Sequence, residues 1–225
     1  MGLPLTSNAD KKGEHGAQPT DNGCKFGHLM CEYMKLVFAT HNPGKLQEVR
    51  EMLAPKYDVI GLHDLNDHED IVEDAPTLEG NAIIKAKTVW ERHGLPCFSD
   101  DTGLEIDALN GAPGVYSARY AGPAKDPQDN MDKVLQELEG VANRGAQFRT
   151  AVALHWNGEY TIFEGIVRGT IATERRGAKG FGYDPIFIPE GHQSSFAQMD
   201  AAAKNAISHR GLAIRALVDF LIAQD

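Results

Sequence analysis

The chain has 225 residues, enough to bury a core of its own as one domain or two small lobes. Its 42% hydrophobic and 24% charged residues are ordinary for a globular protein and exclude disorder throughout. Twenty-two basic against 32 acidic residues give a formal charge of −10, which disfavours nucleic-acid polymers and anionic membranes as partners but leaves room for a small phosphorylated ligand in a local cationic cleft with a divalent metal.

Residues 1–33 are polar and carry no sustained apolar period, so they read as a flexible extension ahead of a domain spanning 34–225. Met34 opens KLVFAT abruptly and is the expected native start. Cys24, Cys31 and Cys97 have neither disulfide-framework nor zinc spacing. No apolar run approaches the roughly 18 residues of a membrane span, and a signal-peptide core is missing, so a reducing cytoplasm is the expected location.

Lys35–Thr40 suits a buried strand, which breaks at His41-Asn42-Pro43-Gly44 before a helix over Lys45–Leu53. Leu46, Val49, Met52 and Leu53 form its apolar side, with Glu48 outside it. Such a loop aims helix N-terminal amides, and here the Lys45 charge, at whatever sits above it; the alternative is a plain strand-to-helix connection. Tyr57–Leu62 reads as a second strand, followed by an acidic loop over Asp64–Asp74 in which Glu73 is singled out.

Asn81–His93 has helical spacing, with Ile83, Ala86, Val89 and Trp90 on one face and Lys85 and Lys87 pointing elsewhere; Trp90 is expected in the core. Leu95–Ser99 is a strand that delivers Asp100 and Asp101 to the mouth of a sheet, where carboxylates can hold a hard cation or orient water, or simply form a solvated turn.

Asp126–Leu138 reads as a surface helix with Met131, Val134, Leu135 and Leu138 inward. Phe148–Trp156 and Tyr160–Val167 flank Asn157-Gly158, a hairpin signal that makes the sheet mixed. In Gly177–Pro189, glycines surround Phe181, which is either a platform for a flat base or a core ring. Ser208 is a candidate cap for a C-terminal helix that begins with His209 and Arg210, and with Lys204 these would suit an anion or a keto-rich base.

Five ordered motifs carry a resemblance: FATHNPGK (38–45), TLEGNAIIKA (77–86), SDDTGLEIDALNGAPGVYSARYAG (99–122), GFGYDPIF (180–187) and KNAISHRG (204–211). Together they resemble the inosine/xanthosine triphosphate pyrophosphatases, the Ham1-like family. The resemblance implies an α/β fold with an elongated mixed sheet flanked by helices, two lobes around a central cleft, and a homodimer. It also implies Mg²⁺-dependent hydrolysis of ITP, dITP and XTP to the monophosphate and pyrophosphate.

Carried over by residue, Thr40, His41, Asn42, Pro43, Gly44 and Lys45 would contact the triphosphate, assisted by Thr102 where the family often has serine. Asp101 would activate water and, with Glu73, bind the metal; Asp74 and Glu79 are the alternatives to Glu73. Asp100 would support them, with Ser117 and Arg119 as further contacts. Phe181, Gly182, Tyr183 and Asp184 would hold the base, and Lys204, His209 and Arg210 would line its polar edge. Two other readings stand beside this one. A Maf-like pyrophosphatase would prefer modified pyrimidine nucleotides, and a nucleotide-binding sensor would not turn over; the intact Asp100-Asp101 pair argues against the second.

Overall fold

The computed structural model describes residues 34–224. The expectations for residues 1–33 lie outside them. Strand β1 (Met34–Phe38) runs through loop 39–42 into α1 (Pro43–Leu53), which returns to β2 (Tyr57–Gly61). The helix starts two residues earlier than its apolar period suggests. Asn42 caps it, accepting from the Gly44 and Lys45 amides at 2.9 and 3.2 Å, and Pro43 takes the first helical position, where the missing N–H costs nothing.

A turn at Leu62–Leu65 and a loop lead to α2 (Leu78–His93), capped by Thr77 and closed at Gly94. Strands β3 (Cys97–Ile106), β4 (Gly145–Trp156) and β5 (Glu159–Ile171) follow, with α3 (Pro127–Glu137) inserted between the first two. The β4–β5 hairpin turns on Asn157 and Gly158, whose φ values of 50° and 85° match the twist of the flanking strands. Short β6 (Phe187–Pro189), α4 (Ala201–Ile207) and α5 (His209–Ile222) complete the chain.

The six strands form one mixed sheet in the order β2-β1-β3-β4-β5-β6, parallel for β2-β1-β3 and antiparallel thereafter. One lobe buries Leu36, Phe38, Val49 and Phe98 against Leu217 and Leu221 of α5. The other buries Leu104, Met131, Val134, Phe148 and Phe187. A third cluster fastens α2 to the sheet through Ala82, Ala86 and Val89. Gly165 brings α5 against β5: a side chain there would collide with the carbonyl of His209, so this glycine sets where the His209-Arg210 end of the helix lies.

Three sequence expectations are corrected. Asp100 and Asp101 lie in the middle of β3, opposite Val152 and Ala151 of β4, rather than at a strand end. They still reach the cleft because β1 pairs with β3 only at Cys97 and Phe98 and then stops, and residues 112–117 close over that edge again only from Leu104 onward, which leaves the stretch holding the two aspartates open. On α2 the inward stripe is Leu78, Asn81, Ala82, Lys85, Ala86 and Val89, so Lys85 points in. Trp90 is 37% exposed and packs at the rim on His155, ring centroids 4.2 Å apart.

Candidate active site

The open edge of β3 looks into a cleft of about 780 Å³. Its lining includes Thr40, His41, Asn42, Lys45, Glu73, Asp100, Asp101, Thr102, Phe181, Gly182, Tyr183, Asp184, Lys204, His209 and Arg210, together with Ser117 and Arg119. Pro43 and Gly44, also expected at the substrate, are not in that lining. Pro43 is spent on opening α1, and Gly44 lies against the Phe181 ring, where an added Cβ would come 3.1 Å from the ring. The alternatives to Glu73 fall away from the cleft: Asp74 is exposed, and Glu79 pairs with Arg149.

Strand alternation sends the two adjacent aspartates to opposite faces of β3. Asp101 faces α2. Its Oδ2 accepts from Asn81 at 3.0 Å, and its Oδ1 lies 3.4 Å from the Lys85 ammonium, which also holds Glu73 at 2.7 Å. Burial raises the Asp101 pKa above the ordinary value against the pull of Lys85 and Lys45, so this carboxylate takes up a proton more readily than a solvated aspartate. Burial works against the charge of Lys85 too, but Asp101 and Glu73 outweigh it and raise its pKa.

Glu73 and Asp101 therefore meet around one ammonium: two hard oxygen donors from two elements, the donor type Mg²⁺ takes when substrate phosphates supply the rest. Among the described residues no group of three or more His, Cys, Asp or Glu side chains is arranged to hold a metal. The carboxylate pair suits an ion whose remaining positions are filled by substrate and water.

Asp100 faces α1 and α5. Its Oδ1 accepts from Lys45 at 2.9 Å and its Oδ2 from Arg210 at 3.0 Å, with Thr102 Oγ1 3.3 Å away. Burial would raise its pKa, yet Lys45, Arg210 and Lys85 together hold it well below the usual carboxylate range. Burial, with Arg210 and Lys85 nearby, in turn pulls Lys45 below its ordinary value despite the support of Asp100.

Beyond Asp100 the network runs to the far end of the cleft. Arg210 also donates to Glu48 at 2.5 Å, and Lys204 donates to Glu48 at 2.6 Å and Asp184 at 2.8 Å. Asp184 also accepts the Phe181 amide at 2.8 Å, fixing the glycine-rich turn. Phe181 has Lys204 and Arg210 over its ring at 4.8 and 5.3 Å. Tyr183 is buried and donates to the Ser117 carbonyl at 2.8 Å. Burial, reinforced by Arg210 and Lys204, lowers the His209 pKa well below its usual value, so the ring is neutral; it stacks on Phe148 at 4.5 Å.

Sequence reasoning missed Lys85, Asn81 and Glu48. All three are polar residues at inward positions of helices judged by their apolar stripes. A signal was available for Lys85 and Asn81: both recur at the 3–4 residue spacing of Leu78, Ala82, Ala86 and Val89.

A sequence profile of the Ham1 family matches residues 36–220. A dITP/XTP pyrophosphatase of Porphyromonas gingivalis is 54% identical over 189 residues, 84% of this chain and 97% of that protein. One from Flavobacterium psychrophilum is 52% identical over 187 residues, 83% of this chain and 98% of that protein. The Ham1 protein structure from Staphylococcus aureus superposes with a TM-score of 0.77 at 38% identity, over 85% of this chain and all of that one. That from Coxiella burnetii gives 0.77 at 41%, over 84% and 99%. The motifs, the mixed sheet and these matches agree, and the chain belongs to the Ham1 family.

Proposed function

We propose that this chain hydrolyses non-canonical purine nucleoside triphosphates, ITP, dITP and XTP, to the monophosphate and pyrophosphate. The observation that carries the reading is one cleft with two dissimilar ends: a protonatable carboxylate beside Glu73 and Lys85, and a ring flanked by fixed cations. The names of the relatives, dITP/XTP pyrophosphatases, support the substrate class.

Cleavage between the α and β phosphates needs an oriented water on one side and charge compensation for the leaving pyrophosphate on the other. Asp101, ionised, accepts the proton of the attacking water; its raised pKa makes it a better base than a solvated aspartate. Asn81 and Lys85 fix its two oxygens. Glu73 and Asp101 would hold Mg²⁺, which when bound neutralises phosphate charge. Lys45 adds a positive charge from the first turn of α1. Asp100 is not a second base, because Lys45 and Arg210 lower its proton affinity far below that of an ordinary carboxylate; it positions Lys45 and Arg210.

At the other end, selection rests on the group at purine C6. The oxygen of hypoxanthine and xanthine accepts hydrogen bonds, whereas the adenine amino group donates them. Lys204 and Arg210 can only donate. A donor left facing the adenine amino group costs about 1–3 kcal/mol when buried.

The proposal extends to a cytoplasmic homodimer whose folded domain begins at Met34. Cysteine usage supports the compartment. Trp90, Tyr160 and Ile162, each 37% exposed, are apolar surface suited to a second copy. Among the described residues no helix is long and apolar enough to cross a membrane.

The test is a panel of nucleoside triphosphates with Mg²⁺, measuring pyrophosphate release. ITP, dITP and XTP should be turned over far faster than ATP or UTP. Equal turnover of ATP and ITP, or orthophosphate as first product, would sink the reading. Sedimentation of the full chain and of one starting at Met34 tests the dimer and the domain boundary; both should sediment as dimers.

A further inference from the structure

Among the described residues, a histidine cluster lies beside the cleft with no part in the proposed reaction. Behind the loop after β1, His63 in the turn Leu62–Leu65 and His68 in the following loop bring their Nδ1 atoms to 3.3 Å. Both side chains are exposed. His41 packs edge-on against His63, ring centroids 5.4 Å apart, and its Nε2 lies 3.1 Å from the Asp67 carbonyl.

Two imidazole nitrogens approach this closely in one of two ways. One tautomer donates to the other, or both are deprotonated at those atoms and share an ion. Two nitrogens bound at about 2.0–2.1 Å with tetrahedral angles lie about 3.3–3.4 Å apart, which is the separation found here. The surroundings favour a cation. Residues 57–84 carry eight carboxylates and neither lysine nor arginine, and the basic side chains that reach the nearest acids, Arg50 on Asp64 and Arg92 on Asp67, come from the flanking helices. His93 also bonds Asp67, at 2.8 Å, and holds the backbone between the two histidines in place.

We propose that His63 and His68 form a two-nitrogen site for a divalent transition-metal ion of the zinc class, distinct from the Glu73 and Asp101 carboxylates. Water completes the coordination. Imidazole nitrogen selects zinc, cobalt or nickel over magnesium, so cellular Mg²⁺ does not compete. The bound ion ties the turn after β2 to the start of the loop that carries Glu73, with His41 of the triphosphate loop resting on the same ring. The site is thus placed to stiffen two walls of the cleft without touching substrate.

The experiment uses the full chain, stripped of metal and then saturated with Mg²⁺ to hold the carboxylate site. Co²⁺ is titrated while its visible absorption is followed, and Zn²⁺ by calorimetry. The wild type should bind one nitrogen-coordinated equivalent and melt at a higher temperature with Zn²⁺. His63→Ala and His68→Ala should each weaken that equivalent at least tenfold while their melting without metal is unchanged, and Asp101→Asn should retain it. Absence of that equivalent in the wild type, or its persistence in either alanine variant, overturns the proposal. Persistence would place the ion on other side chains.

Discussion

The two faces of β3 give adjacent aspartates opposite properties. Asp100, turned to α1 and α5, sits between Lys45 and Arg210 and is held ionised. Asp101, turned to α2, shares a single lysine with Glu73, and its burial is not fully offset, so its pKa rises. Their solvation is similar, at 1% and 13% side-chain exposure, so the number of cations each touches decides the difference. One face is built for rigidity and the other for a proton.

The largest effect that can break this division is on turnover. Asp101→Asn keeps the shape of the side chain and removes the base, so turnover of ITP should fall by about 10²–10⁴-fold, the span of general-base catalysis, with ITP binding retained. Steady-state kinetics with an equilibrium binding measurement check it. The melting temperature of this variant at neutral pH should equal or exceed that of the wild type, because a group whose folded pKa is raised stabilises the fold only in its protonated form. That contribution is present below the unfolded pKa and is lost as pH rises through the folded one.

The same substitution one residue earlier should do the opposite. Asp100→Asn leaves Lys45 and Arg210 facing a neutral group in a buried site, at a cost of about 3 kcal/mol, the low end for a broken buried pair because Glu48 still faces Arg210. Denaturant unfolding of the two variants side by side reads the contrast. The sign with pH also reverses: the lowered pKa of Asp100 gives stability that is full above its unfolded value and lost as pH falls through its folded one.

Much of this was legible in the chain. The strand-loop-helix start, the Asn157-Gly158 hairpin and the Ser208 cap follow from local rules that tertiary contacts do not override, and the Ser208 side chain does accept from the Gly211 amide at 3.1 Å. The acids of β3 were found but misplaced, because where β1 stops alongside β3 is a property of pairing between distant segments. The helices were found with their polar inward residues misjudged. An apolar stripe treats a buried lysine as an outlier, whereas Lys85 is buried because Glu73, twelve residues away, and Asp101, sixteen away, are there to meet it. The partners of Glu48 are more distant still, in α4 and α5.

Lys85 supplies the next test, on the pH profile. Its positive charge pulls the Asp101 pKa down against burial, so Lys85→Met should move the acid limb of kcat/KM to higher pH. Below that limb activity should drop about tenfold per pH unit, the slope of one ionisation. An unmoved limb would mean that the protonation controlling the rate is not on Asp101.

The smallest effect comes from two residues further along the same helix. Lys87 is 60% exposed and its ammonium lies 3.8 Å from Glu91, an i,i+4 pair on the solvent side of α2. Exposed pairs of this kind contribute about 0.3–0.5 kcal/mol, so Lys87→Ala should change stability by no more than that, partly repaid by the better helix propensity of alanine. The acid limb of its pH profile should coincide with that of the wild type. If Lys87→Ala shifted the limb as Lys85→Met does, Asp101 would be responding to the general field of the helix. With Lys87→Ala silent, the response belongs to the one ammonium that touches both carboxylates.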